Sequence, residues 1–425
     1  MISSALADVI LLGSLLACAA AYVWVSKHDG SYLNILTPAF VIAIPAYFFL
    51  PAFYVHVFGT ESGAYAYVYV YATIAVENVA FAYAYTRPAR RLIRLPLHYS
   101  YNNFALTSVI FLTLAVLMFV PVLLEFPEYI LDPRQIYAHT RTGFGVNFFV
   151  SSAMAYLAVI LVLFSDRSRK FRWAVVVAAA GILAFHGSKG QVLSLVLFVL
   201  LFEVYVNKRK SALWPSLFAA LGFGVLGIFL FAATIALSTD PGEALETISS
   251  YSDYTRNAML VINSNFPRQY GRLTFERQTV ARIPRVLMPN KPKNFGSFRL
   301  ADWFYPGAMD ADEGAPDFGI GVQYADFGAF AIVYLALFAM LRGWLARIFV
   351  TRLDRSRHPA DFLLLAFMAG LSVLPVGGAG WMLPEAVAAA MLLRFLSCIG
   401  APRLYREHFK AKPGFPPARN ASPVY

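Results

Sequence analysis

About 11 runs of apolar residues, each near the length that carries a helix across ~30 Å of hydrocarbon, follow one another along this chain. They lie at approximately 4–25, 35–58, 64–86, 104–124, 148–164, 173–187, 190–206, 212–238, 319–341, 362–377 and 380–399. Few folds accept that pattern. In lipid every backbone N–H and C=O needs a partner within the protein, so spanning segments are helices or closed barrels, and unbroken apolar runs predict helices. The expected fold is an all-α polytopic integral membrane protein with about 11 transmembrane helices and one large outer loop. Composition agrees, at 59% hydrophobic and 14% charged residues, and argues against a soluble domain. Eight spans fall within 1–238, with a smaller outer loop at 125–147; the large outer loop is 239–318, three spans lie within 319–399, and a basic tail occupies 400–425.

Orientation follows from Lys and Arg, which favour cytoplasmic connections. One alternate set of connections holds Lys27, Arg87 to Arg94, Arg167 to Arg172, Lys208 to Lys210, Arg342 to Arg357, and the tail with Arg403, Arg406 and Lys410. That set is expected inside, with the amino terminus periplasmic and the carboxyl terminus cytoplasmic. The net charge of +11 is mostly this topology signal and does not imply a nucleic-acid partner. Cys18 and Cys398 fall in separate spans, so neither a disulfide framework nor a metal site is implied.

The long loop faces outward on this reading, and its middle is strongly basic. From Arg256 to Arg299, Arg256, Arg268, Arg272, Arg277, Arg282, Arg285, Lys291, Lys293 and Arg299 stand against a single acid, Glu276. Arg272 and Glu276, four apart, predict an ion pair that positions its neighbours. Pro284, Pro289 and Pro292 stiffen the stretch around Arg285 and Lys291, which lowers the entropy lost on binding. Planar guanidinium groups make paired, charge-assisted hydrogen bonds to phosphate, so the segment reads as a trap for phosphate or pyrophosphate on a lipid. Attraction to anionic headgroups is the plainer alternative.

Other polar residues have two readings each. Glu77 and Asn78, midway along the third span, either face a cavity or serve an interhelical hydrogen bond. His139 is a candidate base or an exposed loop histidine, and Arg141, beside Gly143 and Gly145, is a candidate anion contact. Lys189, in His186-Gly187-Ser188-Lys189-Gly190, points at an anion or snorkels to headgroups. Asp253 and Arg256 share a helix face. Asp317 and Asp326 are candidate proton acceptors or partners for the arginines. Asp310-Ala311-Asp312-Glu313 could hold Mg²⁺ or be a solvated turn. Tyr65, Tyr67, Tyr69 and Tyr71 at one end of the third span, with Tyr83 and Tyr85 at the other, are expected as interfacial belts on a helix, despite their strand-like spacing.

Pro284-Arg285 followed by Met288-Pro289-Asn290-Lys291-Pro292, and Tyr324-Ala325-Asp326-Phe327-Gly328 opening a span, resemble the oligosaccharide repeat unit polymerases, relatives of the O-antigen polymerases. Gly187-Ser188-Lys189-Gly190 and Arg141-Thr142-Gly143-Phe144-Gly145 add to the resemblance, which covers most of the chain. Asp326 stands where an amide is expected. The resemblance implies an inner-membrane glycosyltransferase that joins repeat units carried on undecaprenyl pyrophosphate, with lipid pyrophosphate leaving and neither cofactor nor metal required. It implies a lipid-linked oligosaccharide and membrane lipid as partners, with a separate chain-length regulator protein as a candidate partner. Arg272, Arg277, Arg282, Arg285 and Lys291 are expected on the donor pyrophosphate, completed by Arg141 and Lys189, with Tyr324 and Asp326 also at the substrate. Asp253, Asp317 and His139 are the candidate bases. An O-antigen ligase shares the chemistry and topology. A transporter of the lipid-linked sugar would more often show internal repeats, and none is found here.

Overall fold

The computed structural model describes residues 3–60, 62–88, 104–130, 136, 144–187, 189–209, 253–280, 283, 287–292, 294–307, 316–371 and 383–398. Every regular element among them is helical: α1 (Ser4–Asp29), α2 (Thr37–Ala43), α3 (Leu50–Phe58), α4 (Ala64–Tyr85), α5 (Phe104–Glu125), α6 (Gly145–Leu163), α7 (Arg169–Phe185), α8 (Lys189–Tyr205), α9 (Asp253–Asn263), α10 (Arg272–Thr279), α11 (Phe298–Phe304), α12 (Gly321–Phe327), α13 (Ala331–Ser356), α14 (Pro359–Met368) and α15 (Leu383–Cys398). Four stretches are long and apolar enough to cross a membrane: α1, α5, α6 and the run Gly321–Ser356. The chain is a multi-pass membrane protein. The expected span at 212–238 lies outside the described residues, as do 239–252 and the tail.

Local chemistry decides where helices break. The expected span 35–58 divides into α2, a π-helical segment Ile44–Phe49 and α3, each with proline in its first turn. Proline lacks an N–H and crowds the carbonyl four residues back, so Pro45 and Pro51 interrupt the ladder where they stand. The expected span 319–341 also changes shape. It opens as short α12, turns through a 3₁₀ segment Gly328–Phe330, and continues as α13 well past Leu341. Arg342, Arg347, Arg352 and Arg355, assigned to a connection, therefore lie on a helix. Arg342 donates to the Met368 carbonyl at 2.9 Å, which ties α13 to the end of α14.

α4 is the central strut, packed along α1 on one side and α13 on the other. Close approach to α13 depends on Gly343, where a Cβ would stand 2.3 Å from the Phe81 carbonyl oxygen. Between apolar helices in lipid, small residues at the crossing let backbones approach and gain dispersion contacts. Ser14 on α1 donates to the Tyr71 carbonyl at 2.8 Å. The belt expectation fails for four of the six tyrosines, because Tyr67, Tyr69, Tyr71 and Tyr85 are buried within the protein, whereas Tyr65 and Tyr83 are exposed. Helical geometry places Tyr67 and Tyr71 one above the other, facing other helices and not the lipid surface.

A second pair of helices, α5 and α6, packs against α7 and α8. Their interface encloses His186, held at both ring nitrogens by Ser151 (3.0 Å) and Ser152 (2.7 Å), with Phe119 and Phe148 against its faces. Gly187, with φ +69°, then begins the turn toward Lys189.

Candidate active site

The basic segment folds back on the ends of α4, α12 and α13. α9 buries Thr255, Asn257, Ala258, Met259, Val261 and Ile262 against α4 and α12. Gly321 sits on Ala258 so closely that a Cβ would lie 2.8 Å from its Cα. Buried Asn257 joins three strands of the chain: its amide donates to the Asp317 carbonyl at 2.8 Å and its oxygen accepts from the Tyr305 hydroxyl at 2.6 Å. Asp317 itself accepts from the Gly319 N–H at 3.0 Å and so shapes the turn into α12. At the start of α9, Asp253 pairs with Arg256 at 3.3 Å, and Arg256 lies 3.8 Å over the Tyr54 ring.

α10 carries Arg272 and Arg277, and Asp326 holds it in place. The helix begins at Gly271, which has no side chain to satisfy the first-turn amides. Asp326, 1% exposed, supplies that cap from α12, accepting from the N–H groups of Leu273 (3.0 Å) and Thr274 (2.8 Å) and from the Thr274 hydroxyl (2.6 Å). A carboxylate suits the positive end of a helix and has lone pairs for all three donors, which accounts for the acid where an amide was expected. Asp326 is therefore a positioning residue, and both of its oxygens are engaged by α10.

Tyr324 is also committed within the protein. Its carbonyl accepts from Arg268 at 2.5 Å, the same guanidinium stands 4.5 Å over its ring, and Tyr69 packs edge-on at 4.9 Å. The Tyr69 hydroxyl then donates toward the Gly328 and Ala329 carbonyls and accepts from the Ile332 N–H, stitching α4 to the start of α13. Gly328 has φ +62°, and a Cβ there would meet the Arg268 guanidinium carbon at 3.1 Å. Glycine in Asp326-Phe327-Gly328 makes room for an arginine.

Glu276 is the acid that orders the cations. It accepts from Arg272 Nε at 2.8 Å, from Arg299 Nε and Nη2 at 2.8 and 3.0 Å, and from the Gly296 N–H at 2.9 Å. Burial opposes its ionisation more than any single contact favours it. Together, the hydrogen bonds from Arg299, Gly296 and Arg272, with the Arg299 charge, outweigh burial and hold it down at about 2. Arg272 and Arg299 so share one negative charge, and the trio keeps a net positive charge, with Arg272 more than half exposed. Arg277 lies in the same unit, its backbone against Gly296. Lys291 donates to the Ile283 carbonyl at 3.0 Å and stands 4.8 Å over the Phe295 ring, so it is anchored and not trailing.

Of the expected site residues, Arg272, Arg277, Lys291, Tyr324 and Asp326 thus belong to connected parts of one folded segment, with Asp253 opening α9 and Asp317 beside it. His139, Arg141, Arg282 and Arg285 lie outside the described residues, as does the side chain of Lys189. Arg268, Arg299 and Asn257 were not among the expected site residues and are structurally central. The signal for Arg268 was the glycine it needs at 328, readable only once the two are known to meet. Among the described residues no group of three or more His, Cys, Asp or Glu could hold a metal ion, and Asp310, Asp312 and Glu313 lie outside them.

No family model matches this sequence and no solved structure matches it. Among curated proteins it is similar to the O-antigen polymerase of Salmonella typhimurium strain LT2, 32% identical over 390 residues, spanning 90% of this chain and 93% of that protein. The O-antigen polymerase of Salmonella typhi matches over the same length with the same identity. The chain belongs to the O-antigen polymerase family. Likeness at that extent covers the α4, α12 and α13 framework as well as the basic segment, so a polysaccharide polymerase role comes with the family and with the membrane helices that carry it. As a family member it is a transferase set in a membrane.

Proposed function

We propose that this protein polymerises oligosaccharide repeat units carried on undecaprenyl pyrophosphate into a surface polysaccharide, on the periplasmic side of the inner membrane. Family membership supports the polymerase reading. The observation that carries the donor assignment is the arginine cluster around Glu276, ordered before any ligand arrives and still net positive.

In the reaction, an acceptor hydroxyl at the non-reducing end of one unit attacks the anomeric carbon of the growing chain. The new C–O bond forms as the bond from that carbon to the lipid pyrophosphate breaks, and the pyrophosphate departs with the electron pair. Cations aimed in advance at the leaving group stabilise the charge it gains, without reorganisation at the moment of transfer. Arg272 and Arg277 on α10, Lys291, and Arg282 and Arg285 fill that role, with Arg141 and Lys189 contributing from their own loops. The hydroxyl proton goes to a carboxylate or imidazole among Asp317, Asp253 and His139. Asp317 is favoured over Asp253, since Asp253 is paired with Arg256. Nothing in this step calls for a nucleotide sugar, so no metal is needed to hold one.

Deleting the gene and sizing the glycans that remain on the lipid carrier tests the reading. Single repeats with longer chains lost, restored by the unaltered protein and not by Arg285→Ala inserted at the same level, are expected. Full-length polymer stranded on the carrier would make the protein a ligase. Units held on the cytoplasmic face would make it a flippase.

A further inference from the structure

Tyr270 is an aromatic residue in a conformation that aromatic residues avoid. Its φ is +51°, in the left-handed region where a Cβ crowds the backbone. Among the described residues two other non-glycine side chains share that region, Lys208 and Arg357, and both close off the ends of helices, α8 and α13. Tyr270 ends no helix. It is forced into place by its neighbours: its N–H donates to the Asp326 carbonyl at 3.0 Å, the Gln269 N–H donates to the Ala325 carbonyl at 3.0 Å, and Gly271 follows with φ +87°. Glycine or asparagine would satisfy this backbone at less cost. The tyrosine ring also adds little packing, because the residue is 87% exposed. A side chain kept against backbone preference, and with so little of it buried, points to a partner outside the fold.

The position of the ring indicates what that partner is. Two residues on, Arg272 opens the helix whose cations we assign to the pyrophosphate, and α10 is locked to this turn by Asp326. In a sugar diphospholipid the first sugar is bonded directly to the pyrophosphate, so it must lie beside whatever holds the phosphates. The C–H face of a pyranose is apolar and its rim is polar, which matches the flat face and hydroxyl tip of a tyrosine. We propose that Tyr270 is the stacking platform for the sugar next to the pyrophosphate, and so a specificity-determining residue of the polymerase. This assignment rests on the polymerase reading above.

The test uses the full chain in a strain lacking its own copy of the gene, with membrane levels matched and the carrier-linked glycans sized. Tyr270→Gly removes the ring and relieves the backbone, so insertion and protease resistance should equal those of the unaltered protein. Chain extension should fall at least about tenfold, the scale of losing one well-seated aromatic contact. Tyr270→Asn, also tolerant of positive φ, should behave as Tyr270→Gly does, and Tyr270→Trp should extend chains normally. Tyr270→Leu keeps an apolar side chain and should fail with the ring-free variants. Wild-type polymer lengths from Tyr270→Gly would overturn the assignment, and so would full activity from Tyr270→Leu, the mark of an anchor on the lipid surface. Failure of the unaltered protein to restore polymer would instead overturn the polymerase reading, and this assignment with it.

Discussion

Two carboxylates account for most of the order in the basic segment, and they do different work. Asp326 replaces the cap that Gly271 cannot supply to α10. Asp326→Ala should destabilise the segment by about 1–2 kcal/mol, the worth of a strong helix cap, and release α10 from α12, seen as faster protease cleavage between 268 and 280. Unchanged cleavage would show that α10 is held by something else. Glu276 tests the second carboxylate through pH. Its folded pKa, about 2, lies below the unfolded value of 4.5, so its stabilising contribution is complete above pH 4.5 and is lost as pH falls through 2. The difference corresponds to on the order of 3 kcal/mol. Pepsin sensitivity of the segment should therefore rise between pH 4.5 and 2, and Glu276→Gln should be sensitive throughout that range. A variant with the same acid profile as the unaltered chain would remove Glu276 from its role. The Arg272 to Glu276 pair was legible in the sequence because four-residue spacing within a helix makes neighbours. Asp326 at the foot of α10, and Arg299 on Glu276, were not, since each joins residues more than twenty positions apart.

At the level of helices, apolar run length located α1, α4, α5 and α6 closely, because a membrane-length run has few alternatives to a helix. It could not show that prolines divide 37–58 into three pieces or that α13 runs on to Ser356, since hydropathy does not register backbone hydrogen bonds. Nor could it show which face of α4 is inward, and the tyrosine belt was misplaced for that reason. The α4 and α13 crossing makes its own prediction. Gly343→Ala forces a Cβ onto the Phe81 carbonyl and should cost about 1–3 kcal/mol as an overpacked contact. Gly13→Ala on α1, where a Cβ meets nothing within 4 Å, should leave the melting temperature of the solubilised protein unchanged or raised. Equal effects from the two substitutions would contradict the close crossing.

For the whole molecule, the helices form a frame on which one basic segment is mounted, and the frame reaches that segment through side chains that do no chemistry. Tyr69 on α4 secures the start of α13, and Asn257 on α9 gathers Asp317 and Tyr305. The basic stretch and the family were legible because charge density and short proline-rich motifs survive in one dimension. The division of its arginines into those that support and those that face outward was not, because it depends on which acid each one meets. The central claim is that this segment takes the pyrophosphate that leaves when two glycans are joined. It is tested most directly by reconstituting the purified protein in liposomes with lipid-linked repeat units and measuring glycan length together with free polyprenyl pyrophosphate. The account predicts one polyprenyl pyrophosphate released for each new glycosidic bond, with both lost in Arg272→Ala. Polymer formed at full rate by that variant, or bonds made without release of the lipid pyrophosphate, would contradict it.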